Sequence, residues 1–177
     1  IAWLKVLFAN LSFPDTVIMV TLECMRDVLL TQLPEGMASP IYEYIQVGLD
    51  RLSHAPAVPP SYITPDAPLP DLAEQYLGLL LRGERHEASR IILDAVEAGT
   101  AVKDIYLNVF QRTQKEFGRL WQMNQVSVAQ EHYCTAATQF IMSQLYPHIF
   151  STARVGRCFV ATCVGGELHE MGVRMVA

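Results

Sequence analysis

Residues 55–70 (APAVPPSYITPDAPLP) hold Pro56, Pro59, Pro60, Pro65, Pro68 and Pro70, six of the chain's ten prolines. Proline fixes φ and carries no amide proton, so neither a regular helix nor a central strand runs through such a stretch. The run predicts an extended, semi-rigid connector that divides the chain. Tyr62 and Ile63 within it can lay it against a surface. Four parts follow: a helical unit over 1–54, the connector over 55–70, a helical bundle over 71–152, and a different texture over 153–177.

Before the connector, Ala2 to Leu11 and Pro14 to Leu33 read as helices. Pro14 suits a first turn after Ser12, and Pro34 stops the second helix. A third is expected from about Pro40 to Leu52, with Ser39 as its N-cap and Ile41, Tyr44, Ile45, Leu49 and Leu52 at helical spacing. After the connector, Asp71 to Leu81 is stopped by Gly83, and Glu84 to Glu97 by Gly99. Thr100 is expected to cap a long helix reaching about Met123, with Asp104 in its first turn. Ser127 and Gln130 have capping-box spacing and open a last helix through Tyr146. Four amphipathic helices with short joints predict an antiparallel four-helix bundle.

From Arg157 the pattern changes. Cys158 to Val164 is a short apolar run that enters Gly165-Gly166, as a buried parallel strand entering a loop does. A helix could begin at Val173. Strand, glycine loop and helix open a doubly wound, Rossmann-like α/β domain. One strand cannot bury both faces, so only the start of that domain is expected here. The fold class is therefore mostly α, with a truncated α/β element at the end.

Composition narrows the function. The formal net charge is −5 and the pI about 5.5, which disfavours nucleic acid unless a basic patch reverses the field. None is evident: Arg82, Arg85 and Arg90 alternate with Glu84 and Glu87, as on a solvated helix face. The most apolar segment, Val17 to Val20, meets Glu23 and Arg26 long before it could span a bilayer. A cytoplasmic protein is expected, with no membrane partner. Cys24, Cys134, Cys158 and Cys163 form no C-x-x-C pair and read as reduced, buried thiols.

Two constellations carry chemistry. The first is Gly166-Glu167-Leu168-His169-Glu170-Met171-Gly172. Imidazole is a good ligand for cobalt, a carboxylate two residues earlier can hold its other ring nitrogen, and Gly172 allows close approach of a ligand edge. The pattern acidic-x-His-x-x-Gly after a first strand resembles the cobalamin-binding signature of methionine synthase-like corrinoid domains, where the acid is usually Asp. That resemblance implies His169 as the lower ligand of the cobalt, with Glu167, Leu168, Glu170, Met171 and Gly172 around it.

The second runs from Trp121, at the end of the third bundle helix, through Val128 to Glu131 and His132 in the first turns of the fourth. The connecting turn is expected to bring them to one end of the bundle. This Trp-x9-Glu-His spacing resembles the cap of light-sensing B12 proteins, in which the Trp lies beside the adenosyl group and the Glu hydrogen-bonds to it. One departure concerns the position after the Trp, where related repressors carry a second cobalt-ligating His; here it is Gln122. Thr135, further along the helix, faces either the corrin or the bundle.

What this resemblance implies is an adenosylcobalamin-binding light-sensing module that signals by self-association (a homo-oligomer) or through an attached output domain. Any catalytic activity would lie in that output. A different class shares the fold and His169: a corrinoid carrier protein for methyl transfer. A methyl group needs no Trp-Glu-His cap, which favours the sensor. Some similar light sensors also hold a linear tetrapyrrole such as biliverdin, and the apolar amino-terminal helices with the connector are the segment that could frame its pocket.

Overall fold

The computed structural model describes residues 1–149, 155–167 and 169–176. The described residues are mostly helical: α1 (Ala2–Asn10), α2 (Asp15–Gln32), α3 (Glu35–Leu52), α4 (Pro70–Leu81), α5 (Arg85–Glu97), α6 (Val102–Asp104), a π-helical segment (Ile105–Phe110), α7 (Gln111–Gln122), α8 (Val128–Gln144), α9 (Tyr146–Ile149) and α10 (Met171–Val176). They form two compact units, one of residues 1–61 and 118–128, the other of residues 62–117 and 129–177. No described helix is long and apolar enough to cross a membrane.

The second unit contains a helical bundle of α4, α5, α6 to α7 through Phe117, and α8. Its core interleaves Tyr76 and Leu80 of α4, Ile92 of α5, Phe110 and Phe117 of the long helix, and Ile141 of α8, all essentially without solvent exposure. Fully burying such a side chain is worth about 1.5–3 kcal/mol, far more than helix propensity contributes per residue. Apolar burial therefore holds the bundle together. Polar bonds set its register. Ser89 of α5 donates to Gln144 of α8 at 3.0 Å, and the Tyr133 hydroxyl donates to the Gly83 carbonyl at 2.9 Å.

Both glycine stops act as expected. Gly83 (φ +78) and Gly99 (φ +99) take left-handed backbone, and the following N–H groups reach back, Glu84 to the Leu79 carbonyl and Thr100 to the Ala95 carbonyl, each at 2.9 Å. This pairing closes the helix end. It also corrects an expectation: the Thr100 backbone belongs to the end of α5, and the next helix begins at Val102 after Ala101, with no side-chain cap. Ser39 is likewise not a cap. Helix α3 starts at Glu35 and carries Pro40 inside it, where Pro40 forgoes a bond to the Gly36 carbonyl near an end that already lacks partners.

The long helix is not regular either. Its π segment puts Ile105, Tyr106, Val109 and Phe110 all into the core while Leu107 stays exposed. A π turn shifts hydrogen bonding by one residue and strains the junction with α-helix. The buried Thr113 hydroxyl answers this by reaching the Val109 and Phe110 carbonyls at 2.9 and 3.1 Å.

The connector lies against the bundle along its second half. The Tyr62 N–H donates to the buried carboxylate of Glu116 at 2.9 Å, Lys115 stands over the Tyr62 ring, and Ile63 and Leu69 touch the core. In the other unit, α1, α2 and α3 surround the buried Val6, Ile18 and Leu52, and Lys5 donates to the Leu52 carbonyl at 2.9 Å.

The strand expected over Cys158 to Val164 does not form. No strand occurs among the described residues, and Phe159, Val160 and Val164 are exposed. A strand's amide and carbonyl groups need a neighbouring strand to bond with, and none occurs among the described residues. The Rossmann-like element is thus a short apolar run with no sheet to join.

The cysteines divide as well. All four are free, but only Cys134 is buried; Cys24 and Cys158 are exposed. Burial, aided by the nearby Glu131 carboxylate, pushes the Cys134 thiol up to about 12. The thiolate is the nucleophile, so a short alkylation pulse at pH 8 is expected to label Cys24 and Cys158 and spare Cys134. Peptide mass spectrometry checks this. Equal labelling of Cys134 in the native protein would show that the bundle core opens readily.

Candidate functional site

The glycine loop presents an imidazole. A turn from Val164 to Glu167 is closed by a 3.0 Å backbone bond, and Gly166 supplies the left-handed conformation it needs (φ +85). Beyond the turn, Glu167 Oε1 accepts the His169 backbone N–H at 2.7 Å and lies 2.5 Å from His169 Nδ1. An ionised carboxylate only accepts, so Nδ1 carries a proton, and in the neutral ring Nε2 then holds the lone pair. The His169 side chain is 94% exposed. The result is a single, oriented, outward nitrogen ligand.

Among the described residues no cluster of three or more His, Cys, Asp or Glu could hold a metal ion. A lone exposed imidazole suits a metal that arrives with ligands of its own, as cobalt does inside a corrin ring. The donor set fits that arrangement. Glu170 is bound by the Arg174 guanidinium at 2.7 Å, Met171 packs against the bundle core, and a Cβ at Gly172 would meet nothing within 4 Å. Leu168 lies outside the described residues.

At the start of α8 stands the second group. Glu131 occupies the first turn, where the helix dipole favours a carboxylate. Its Oε2 pairs with His132 Nδ1 at 2.5 Å, and its Oε1 lies 3.2 Å from the Thr135 hydroxyl. His132 is largely exposed, Glu131 only 28%. Thr135 faces the bundle, within 2.9 Å of Gln114 Oε1. Val128, also in the first turn, is exposed.

Trp121 ends α7 and groups, like Val128, with the amino-terminal helices, whereas Glu131 and His132 group with the bundle. Its ring tilts against Trp3 at 6.2 Å between centroids. Gln122 is buried, and its side-chain amide donates to the Trp3 carbonyl at 2.8 Å. Gln122 is thereby spent on holding α1. Trp3 was invisible to sequence reasoning. A tryptophan in a short apolar helix carries no sign of a partner more than a hundred residues away.

The helices of the bundle overlap the match to one family model. Residues 72–146 match the B12 binding domain. The match supports a cobalamin-binding module, and it covers α4 to α8, including Glu131 and His132. No curated protein and no solved structure matches the chain.

Proposed function

We propose that this chain is an adenosylcobalamin-binding, light-sensing regulatory module. The observation that carries the proposal is the Glu131–His132 pair, which opens α8 inside the B12 binding domain match and offers acceptor oxygen to a ligand rich in hydroxyls. His169 supplies the lower nitrogen ligand, its tautomer set by Glu167. In this reading Trp121 offers an apolar face to the nucleoside, Glu131 accepts from its hydroxyls, and Val128 and His132 are further cofactor contacts. When bound, adenosylcobalamin supplies a cobalt–carbon bond that light breaks, chemistry that belongs to the cofactor.

The protein's part is to bind the adenosyl group differently before and after that event. A ligand shifts a conformational equilibrium only by its differential affinity for the two states. Contacts made to the adenosyl group alone, by Trp121 and Glu131, are such a difference. Self-association or an attached output domain then reads the shift.

The test adds adenosylcobalamin and methylcobalamin separately to the protein and records absorption spectra and solution scattering, dark and illuminated. A light-dependent change in both, with adenosylcobalamin bound more tightly, is the expected result. Binding of both forms with identical dark and illuminated profiles favours the corrinoid carrier instead. A long-wavelength band foreign to cobalamin would reveal a bilin beside it.

A further inference from the structure

A chain of hydrogen bonds runs from Glu131 into the bundle core. Thr135 Oγ1 lies 3.2 Å from Glu131 Oε1 and 2.9 Å from Gln114 Oε1. Gln114 Nε2 donates to Thr138 Oγ1 at 3.0 Å, and Thr138 Oγ1 stands 2.9 Å from both the Tyr76 hydroxyl and the Cys134 carbonyl. Tyr76 and Thr138 have no solvent exposure. All these residues belong to one compact unit. The chain thus joins a partly exposed carboxylate on α8 to a buried phenol on α4.

Counting protons shows what the chain can do. Each hydroxyl has one proton to give. The Tyr76 proton goes to Thr138, its one hydrogen-bond partner among the described residues. Thr138 then accepts from both Tyr76 and Gln114 and gives its own proton to the Cys134 carbonyl. Gln114 Oε1 takes the Thr135 proton. Nothing from inside is left for Glu131 Oε1, which faces the Thr135 oxygen as one acceptor faces another.

Turning the Gln114 amide by half a turn gives a second arrangement on the same heavy atoms. Nε2 then donates to Thr135, Thr135 donates to Glu131 Oε1, and Thr138 swings its proton from the Cys134 carbonyl to Gln114 Oε1. No proton changes owner. Both arrangements satisfy the buried groups, which a buried network requires. They differ in whether Glu131 Oε1 needs a donor from outside, and in whether Tyr76 competes with a second donor for Thr138.

We propose that the Thr135–Gln114–Thr138–Tyr76 chain is a two-polarity relay that reports to the bundle core whether a ligand hydroxyl is donating to Glu131. A donor at Glu131 Oε1 selects the first polarity; its departure turns Thr135 to Glu131 and reverses the rest. Thr135 and Gln114 act as positioning residues. The proposal rests on the reading of Glu131 as a contact to the adenosyl group.

The experiment follows the tyrosine C–O stretch by infrared difference spectroscopy on the full chain with ring-labelled tyrosine, using Tyr76→Phe to identify the Tyr76 band. Adenosylcobalamin added in the dark is expected to shift that band, and illumination to return it. Thr135→Val should abolish the shift while the protein still binds the cofactor, and Thr135→Ser should keep it. If Thr135→Val does not fold, Gln114→Met cuts the chain one bond further on and is read the same way. A shift that survives in the cut variant overturns the relay. So does a wild-type protein that binds adenosylcobalamin with no shift, an outcome that leaves the sensor reading standing. A wild-type protein that does not bind adenosylcobalamin overturns the sensor reading, and the relay falls with it.

Discussion

Replacing His169 with alanine is expected to weaken cobalamin binding by at least tenfold, or about 1.4 kcal/mol, and to convert the visible spectrum of the bound cofactor to that of a form without imidazole. The imidazole is almost fully exposed and bonds to Glu167, outside the packed core, so its removal leaves that core unchanged. Thermal melting without cofactor should therefore be the same for both proteins. Glu167→Gln tests the supporting role. A carboxylate that fixes the ring tautomer is typically worth 10- to 100-fold in metal affinity, so this variant should bind more weakly while keeping the imidazole-bound spectrum. Titration followed by visible absorption measures both. Unchanged affinity together with an unchanged spectrum in His169→Ala would remove His169 from the site.

The second large effect concerns the upper face. Burying an indole against a nucleoside removes apolar surface worth on the order of 2 kcal/mol, close to a thirtyfold difference in affinity. In the proposed site Glu131 would add a hydrogen bond to a hydroxyl that methylcobalamin lacks. The intact protein is expected to prefer adenosylcobalamin to methylcobalamin, with Trp121→Ala and Glu131→Ala each narrowing the preference. Trp121 also packs on Trp3, so Trp121→Ala could act by loosening α1. Trp3→Ala separates the two effects, because it removes the same ring contact and leaves Trp121 in place. If Trp3→Ala narrows the preference as much as Trp121→Ala does, Trp121 serves the amino-terminal helices and not the ligand.

Much of this was legible in the chain because it is local. The stops at Gly83 and Gly99 depend on one left-handed residue and the two amides beside it, and a glycine announces that conformation wherever it falls. The spacing of Glu167 and His169 places a carboxylate within reach of an imidazole across two residues. The apolar period of the bundle helices announces a buried stripe, and the core is built from those stripes. Other local signals were misread where a neighbour claimed the same atoms. Thr100 has the side chain of a cap, yet its amide was already engaged in closing α5.

What the sequence alone determined is therefore the helical character, the main breaks between helices and the local pairs Glu167–His169 and Glu131–His132, since each follows from backbone geometry over a few residues. Only the tertiary structure decided that Trp3 backs Trp121, that Gln122 holds the Trp3 carbonyl, that Gln114 bridges Thr135 to Thr138, and that 158–164 stays outside any strand. A hydrogen bond or ring contact between distant segments exists only once packing has brought both partners together and excluded water between them. A strand exists only when a neighbour meets its backbone. Neither condition is written in the residues that fulfil it.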